Sequence, residues 1–121
     1  EAVIPHEENL KRISQCDVYI ELFAPTQRDK TYGSFGVTAF EAAAMGKVVV
    51  TNSLFDSVYE AAYGPSELVI ANTESDFKGC IHQLIQLQSL DDLKQRNRFW
   101  IEKTHSYSAT GTYLNTLLEK K

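Results

Sequence analysis

The stretch YGSFGVTAFEAAAMGKVVVTN, residues 32–52, decides the expected fold of this chain. A glycine-bracketed turn at residues 33–36 leads into an alanine-rich, helix-forming stretch at residues 37–45. Gly46 is expected to end that helix, because glycine readily takes the backbone conformation that follows a helix. Residues 47–51 form a β-branched run without polar alternation, which is typical of a strand buried on both faces of a parallel sheet. The stretch therefore predicts a loop–helix–strand unit of an α/β domain.

The junction between this turn and the helix also predicts a binding feature. The first backbone amides of a helix have no partner inside the helix, and they lie at the positive end of its dipole. A glycine-containing turn leaves them accessible, so the helix start is a candidate anion site. Glu41 lies inside the same helix, five residues after Gly36. Without further context, a functional role for Glu41 and a position on the solvated face of the helix are equally good explanations, because charged side chains mostly lie at the surface.

The same stretch resembles the signature of the retaining GT-B glycosyltransferases, a large family that uses nucleotide-sugars. The C-terminal domain of that family carries Glu-(Gly/Ser)-Phe-Gly, then four residues to a second Glu, then Ala-Met-Ala-x-Gly-x-Pro-Val-Val. Gly33 stands where the family has its first Glu, Ala43 where the pattern has Met, and Val48 where it has Pro. The other positions in step are Ser34, Phe35, Gly36, Glu41, Ala42, Ala44, Met45, Gly46, Lys47, Val49 and Val50. The resemblance extends weakly over nearly the whole chain.

The resemblance implies a site for the nucleotide-sugar donor. Backbone amides of the turn and the following helix start contact the sugar and the diphosphate in the family, and the second Glu binds the ribose hydroxyls. That second Glu corresponds to Glu41, whereas Gly33 has no carboxylate, so sugar recognition must differ or be lost. The resemblance assigns no catalytic residue. The donor-binding residues it implies are Gly33, Ser34, Phe35, Gly36, Val37, Thr38 and Glu41.

Three charged residues upstream are further candidates for this site. Glu21 interrupts the apolar strand predicted at residues 16–23, and burial of an unpaired carboxylate is unfavourable. Glu21 is therefore expected at the carboxyl end of the strand, where ligands bind in open α/β sheets, or at a polar edge. The polar loop at residues 24–32 is longer than its counterpart in the family. Arg28 and Lys30 in this loop could reach a diphosphate, with a solvated charge cluster as the alternative. His6 is expected to be a loop histidine without a special role.

The remainder of the chain predicts a regular alternation of strands and helices. Val3 is expected to belong to a strand already under way, and the strand at residues 48–50 is expected to lie centrally in the sheet. Phe77, Ile81, Leu84 and Ile85 have the spacing of one buried helix face. The other predicted elements are helices at residues 5–15, 56–63 (capped by Asp56), 72–88 (with a Thr73–Asp76 capping box), from Ser89 onward and at 113–118, a strand at 67–71 and a break at 106–108.

Composition narrows the class of protein. The chain has 121 residues, which suggests one domain, and its net charge of −4, without a Lys/Arg run, argues against nucleic acid as a partner. Cys16 and Cys80 are the only cysteines, and they are expected to be buried thiols in a reducing compartment. The expected location is therefore cytoplasmic, or peripheral to a membrane in a longer protein. No metal-ligand spacing is present, and no cofactor is expected beyond the donor substrate.

The expected fold is α/β, a Rossmann-like parallel sheet with helices on both faces, forming residues 1–121 of a GT-B C-terminal domain truncated at its N-terminal side. Such a chain would bind a nucleotide-sugar donor and would need a carbohydrate or lipid-linked acceptor. A missing N-terminal domain is expected to contact Leu54 and Phe55, and a second copy of the chain could pair with the open edge of the sheet. The chain alone is not expected to transfer sugar, because the active site of the family lies between two domains. A non-catalytic relative that binds partners is the alternative, supported by Gly33. A receiver-like or flavodoxin-like module is a third reading, although only Asp17 and Glu21 lie near strand ends.

Overall fold

The computed structural model of the chain describes residues 3–21, 36–120 and, for the backbone alone, 26–27 and 30–31. These residues form an α/β arrangement of six helices and five short strands. In chain order the elements are α1 (His6–Ser14), β1 (Val18–Ile20), β2 (Thr26–Gln27), β3 (Lys30–Thr31), α2 (Val37–Ala44), β4 (Val48–Thr51), α3 (Asp56–Tyr63), β5 (Val69–Ile70), α4 (Glu74–Gln86), α5 (Asp91–His105) and α6 (Tyr107–Glu119).

The main sheet is parallel and has the strand order β1-β4-β5. Tyr19 pairs with Val49, and Val50 pairs with Val69. All four residues of β4 are buried. This confirms that the apolar run at residues 48–50 forms the central strand, and the absence of polar alternation follows from cover on both faces.

The core lies on one face of this sheet. Cross-strand partners point to the same side, so Tyr19, Val49 and Ile70 share the face that packs against α2 and α5. The small side chains of α2 allow the helix to lie close to β4 and to α5. On the opposite face, Val69 shares a cleft with Cys80 and Leu84 of α4. The fully or almost fully buried members of this cluster are Ile13, Ala39, Ala42, Ala43, Val49, Leu68, Trp100 and Ile101. Val48, Val50 and Ala71 are fully buried outside it.

Several predicted strands differ from the observed ones. The outer strands, predicted at residues 16–23 and 67–71, shorten to β1 and β5. The strand predicted at Val3 is wrong, because residues 3–5 belong to no strand and Val3 is 95% exposed. An apolar segment becomes a strand only where a neighbour offers backbone partners, and none of the described strands pairs with it. The polar loop at residues 24–32 contains an antiparallel hairpin, β2 with β3.

Of the helix caps predicted at Thr73 and Asp56, the structure confirms the first. The capping box at the start of α4 is confirmed: the Asp76 amide donates to Thr73 Oγ1 over 3.0 Å, and the Thr73 amide donates to Asp76 Oδ2 over 3.1 Å. Asp56 is wrong as a cap, because it is the first residue of α3 and no side chain caps that helix. The break predicted at 106–108 is confined to Ser106, whose Oγ accepts from the Ala109 amide and so starts α6 early.

The predicted buried face of α4 is only partly present. Phe77, Ile81 and Leu84 are half-buried, whereas Ile85 is 76% exposed, and α4 has no buried residue. Spacing alone cannot show how far a neighbouring element covers a helix face. The two thiols are less buried than expected: Cys16 and Cys80 are free, and each is half-buried.

Candidate ligand site at the carboxyl edge of the sheet

The start of α2 is the centre of the candidate site. Gly36 precedes the helix in an extended conformation, and no side chain caps the helix. The first turn of α2 contains no acidic residue, and Val37 is 75% exposed. The amide of Ala39 bonds to the Gly36 carbonyl over 3.1 Å, so the uncapped amides are those at the very start of the helix. These amides can stabilise a negative charge.

Glu21 lies directly against this helix start. It follows β1, and its amide continues the sheet pairing by donating to the Val50 carbonyl over 2.9 Å. The carboxylate lies so close to Gly36 that a Cβ at position 36 would be 2.5 Å from Glu21 Oε1. A larger residue at position 36 would therefore displace the Glu21 side chain from the helix start, although the backbone angles of Gly36 are open to any residue. The structure thus places Glu21 at the carboxyl end of its strand.

The surroundings of Glu21 disfavour its ionised form. Burial raises the pKa of the Glu21 carboxyl. A hydrogen bond from the Tyr19 hydroxyl partly offsets this rise, and the nearby charge of Glu41 adds to it. Burial, followed by the charge of Glu21, also raises the pKa of Tyr19 to about 12. Within the described residues, Glu21 Oε2 is buried and has no hydrogen-bond partner. A ligand that donates a hydroxyl hydrogen to this oxygen would relieve the cost of its burial.

Glu41 lies one helical turn into α2, with 28% of its side chain exposed. Its Oε1 is 3.3 Å from Nε2 of His6, which is the first residue of α1. The expectation that His6 lies in a loop is wrong, because it is in α1; that it has no role beyond its contact with Glu41 stays a prediction. No Lys or Arg forms an ion pair with Glu21 or Glu41 in the part of the chain that the structure describes. The neighbours of these carboxylates that the structure does describe are the Tyr19 hydroxyl, which is hydrogen-bonded to Glu21, and the His6 imidazole, which contacts Glu41.

The structure brings together five of the sequence-predicted site residues: Glu21, Gly36, Val37, Thr38 and Glu41. Thr38 is a neighbour of the Tyr19 hydroxyl, and so faces the same cluster. The remaining predicted positions, Gly33, Ser34, Phe35 and Arg28, lie outside the described residues. Lys30 lies in β3, and only its backbone is described.

Sequence reasoning missed a second polar group at the same edge. Thr51, Asn52 and Ser53 directly follow the apolar part of β4, and all three are buried. The Ser53 amide donates to Asn72 Oδ1 over 2.8 Å, which ties together the segments that leave β4 and β5. The signal was present in the sequence, because three short polar residues after an apolar run mark the end of a buried strand, where ligands bind in parallel sheets.

Apolar side chains lie next to this polar group. Leu54 and Phe55 follow Ser53 and are 42% and 58% exposed, which confirms the predicted exposure. Val58, in the first turn of α3, is 66% exposed. That another domain covers these residues stays a prediction.

Comparisons with protein-family models, with curated proteins and with solved structures found no match to this chain. In residues 3–21 and 36–120, and in the hairpin strands, no three His, Cys, Asp or Glu residues are grouped so that they could hold a metal ion. None of the helices that the structure describes is long and apolar enough to cross a membrane. The fold and the site together define an α/β domain with a candidate ligand site at the carboxyl edge of a parallel sheet.

Proposed function

We propose that this chain is the donor-binding part of a retaining glycosyltransferase, which transfers a sugar from a nucleoside-diphosphate sugar to a carbohydrate or lipid-linked acceptor. In this proposal the sheet is the Rossmann-like core of a partial GT-B C-terminal domain. The observation that carries the proposal is the position of Glu41 and Glu21, whose carboxylates lie together beside the uncapped start of α2. The resemblance of residues 32–52 to the family signature also supports the proposal; Glu41 and Gly36 belong to that stretch, whereas Glu21 lies outside it.

The two carboxylates suit the hydroxyl groups of such a donor. An ionised carboxylate only accepts hydrogen bonds and offers several lone pairs, so Glu41 can hold both hydroxyls of a ribose diol. Glu21 is half-buried and its buried Oε2 has no partner among the described residues, so a sugar hydroxyl that reaches this oxygen would donate to it. Two carboxylates repel an anion, so the diphosphate must lie on the amide side of the α2 start.

The helix start supplies the electrostatic part of the chemistry. A departing nucleoside diphosphate gains negative charge as the bond to the sugar breaks. Preorganised amides at Val37 and Thr38 would stabilise that charge without having to reorganise during the reaction. Cationic groups are also needed to balance a diphosphate, and Arg28 and Lys30 are the nearest candidates in the sequence.

Other partners complete the proposal. The exposed Leu54, Phe55 and Val58 would contact the domain that brings the acceptor, since they flank the site. The half-buried free thiols Cys16 and Cys80 fit a reducing compartment, so we place the reaction in the cytoplasm.

Titration with UDP, GDP and their sugar conjugates tests the proposal, with binding followed by calorimetry and by NMR shifts of α2 amides. One of these nucleotides should bind, and Glu41→Gln should weaken binding by about tenfold, because one hydrogen bond to a charged group contributes about 1.5–3 kcal/mol. Glu102→Gln is the matched control, since Glu102 is exposed on α5 and pairs with Arg98. Unchanged affinity in a folded Glu41→Gln variant would remove Glu41 from the site.

A non-catalytic, partner-binding relative is the second candidate. The exposed apolar residues Leu54, Phe55 and Val58 favour it, because a surface of that kind commonly contacts a protein. The same titration separates the two functions. Absence of nucleotide binding at millimolar concentration, with the fold verified, would contradict the glycosyltransferase proposal and favour the partner-binding module.

A further inference from the structure

A second cleft lies away from the candidate donor site, between the end of α3 and α5. It has a volume of about 370 Å³. Gly64, Pro65 and Glu67 form part of its wall, and this segment leads into β5 at its amino end. The donor site, in contrast, lies at the carboxyl edge of the sheet. The lining residues that matter for its chemistry are Tyr63, Glu67, Arg96, Phe99, Trp100 and Lys103.

Two aromatic walls of this cleft are fixed by the core. Trp100 is only 5% exposed, and its ring centroid is 5.9 Å from that of Phe40. Tyr63 is held by ring contacts to His105 at 4.8 Å and to Tyr113 at 5.2 Å. Walls that are already ordered lose little conformational entropy when a ligand binds.

A third aromatic ring, Phe99, is exposed at this cleft. Phe99 lies one residue before Trp100 on α5 and is 66% exposed. It makes no ring contact with the other residues that the structure describes. A ligand ring that covers Phe99 would remove apolar surface from water and could stack in offset or edge-to-face geometry.

The charges around the cleft favour an anion. Arg96 pairs with Glu67 over 2.7 Å, so its charge is largely matched. Lys103 lies two turns further along α5 and has no carboxylate partner among the described residues. Arg96 also lies 3.9 Å from Asp92, so Lys103 is the lining charge that has no ion-pair partner among the described residues.

We propose that this cleft binds a small planar aromatic anion, such as an aromatic carboxylate. The ring lies against Phe99 and Trp100, and the acid group meets the Lys103 ammonium. Size agrees with this assignment, because small-molecule pockets of about 300–1,000 Å³ usually combine apolar walls with a few polar groups. The proposal is independent of the donor site.

The single tryptophan of the chain gives a direct readout. Phenylacetate is titrated into the protein labelled with ¹⁵N, and the Trp100 indole signal is followed by NMR. We expect a saturable shift of that signal, and a clearly weaker one with neutral phenylacetamide. No movement of the Trp100 signal with phenylacetate would overturn the proposal, as would equal affinity for the acid and the amide.

Two variants locate the ligand within the cleft. Phe99→Ala should weaken phenylacetate binding by about tenfold through lost ring contact. Lys103→Gln should weaken it by about three- to fivefold, the size expected of an exposed charge pair, and should leave phenylacetamide unaffected. Lys78→Gln is the matched control, because Lys78 is exposed on α4 and pairs with Glu74. Both cleft positions are exposed, so both variants should fold. Wild-type affinity in Lys103→Gln would contradict the assigned position of the acid group.

Discussion

Helices α2 and α4 are built from different local signals and have opposite environments. α2 has eight residues and no side-chain cap, yet three of its alanines are fully buried against β4 and α5. α4 has thirteen residues, an amphipathic pattern and a complete capping box, yet no residue of it is buried. Local signals thus determine whether a helix forms, whereas its burial depends on what packs against it. The buried helix holds its start in place, which is what a ligand site requires.

Of the variants that test this difference between α2 and α4, Trp100→Ala should have the largest effect on stability. Trp100 packs against Phe40 of α2 and is almost fully buried, so its loss leaves a cavity between α5 and α2. We expect the free energy of unfolding to fall by about 3–5 kcal/mol, measured by denaturant titration. Leu84→Ala on α4 is the comparison, and it should cost clearly less because Leu84 is half-buried. Equal losses would show that α2 and α4 are held equally firmly.

Ala42→Leu should have the next largest effect. Ala42 is fully buried, and a larger side chain there must push α2 away from its neighbours. We expect a loss of about 1–3 kcal/mol. Gly79→Ala on α4 should have the opposite sign and stabilise the protein by about 0.4–1 kcal/mol, because a Cβ at position 79 meets nothing within 4 Å. Both variants are measured by denaturant titration. A change in the free energy of unfolding of the same sign in both would contradict the expected difference between α2 and α4.

Thr73→Ala tests the contribution of the cap on α4. The change removes the hydrogen bond from the Asp76 amide to Thr73 Oγ1, and it should cost about 1 kcal/mol. Ile85→Ala is its control on the same helix and should stay within about 0.5 kcal/mol, because Ile85 is largely exposed. A larger cost for Ile85→Ala than for Thr73→Ala would mean that packing, and not the cap, holds α4.

The smallest effect is expected from pH at His105, which lies in the aromatic group beside α2. Burial lowers the pKa of His105 below its ordinary value of 6.5, and its Nε2 is 2.7 Å from the Tyr59 hydroxyl. The unfolded chain therefore binds the proton more readily, so stability should fall as pH decreases from about 7.5 through 6.5 and below. The other groups packed against the ring are Phe40, Tyr63 and Trp100.

His105→Gln isolates this effect. The variant should lose part of the decrease in stability between about pH 7.5 and 5.5, measured by denaturant titration at each pH. Glu21 acts in the opposite direction, because its raised pKa makes the folded state bind a proton more readily as pH falls. An unchanged pH dependence in His105→Gln would show that the imidazole titrates alike in the folded and unfolded states.

The accuracy of the sequence predictions differed between the centre and the edges of the molecule. Helix α2, the central position of β4 and the capping box at Thr73 were all predicted, because each depends on a short continuous pattern; the turn predicted at residues 33–36 lies mostly outside the described residues. The strand at Val3, the cap at Asp56 and the burial of Ile85 were wrong, since each depends on whether a distant segment supplies a partner. For the candidate site, the motif named Gly36 and Glu41, and their binding role stays a prediction. The contact of His6 with Glu41 and the buried group at Thr51, Asn52 and Ser53 were not predicted.

The sequence by itself determined the α/β class, the parallel central strand and a glycine, without a capping side chain, at the start of α2. These features follow from residue types at neighbouring positions. Only the tertiary structure decided which charged groups meet. It brought Glu21 from the end of β1 against Gly36, it set the raised pKa of Glu21 through burial and through Glu41, and it placed Lys103 beside an exposed aromatic ring. The physical reason is that burial, close approach and charge pairing depend on distances between segments remote in the chain, and no local pattern fixes those distances.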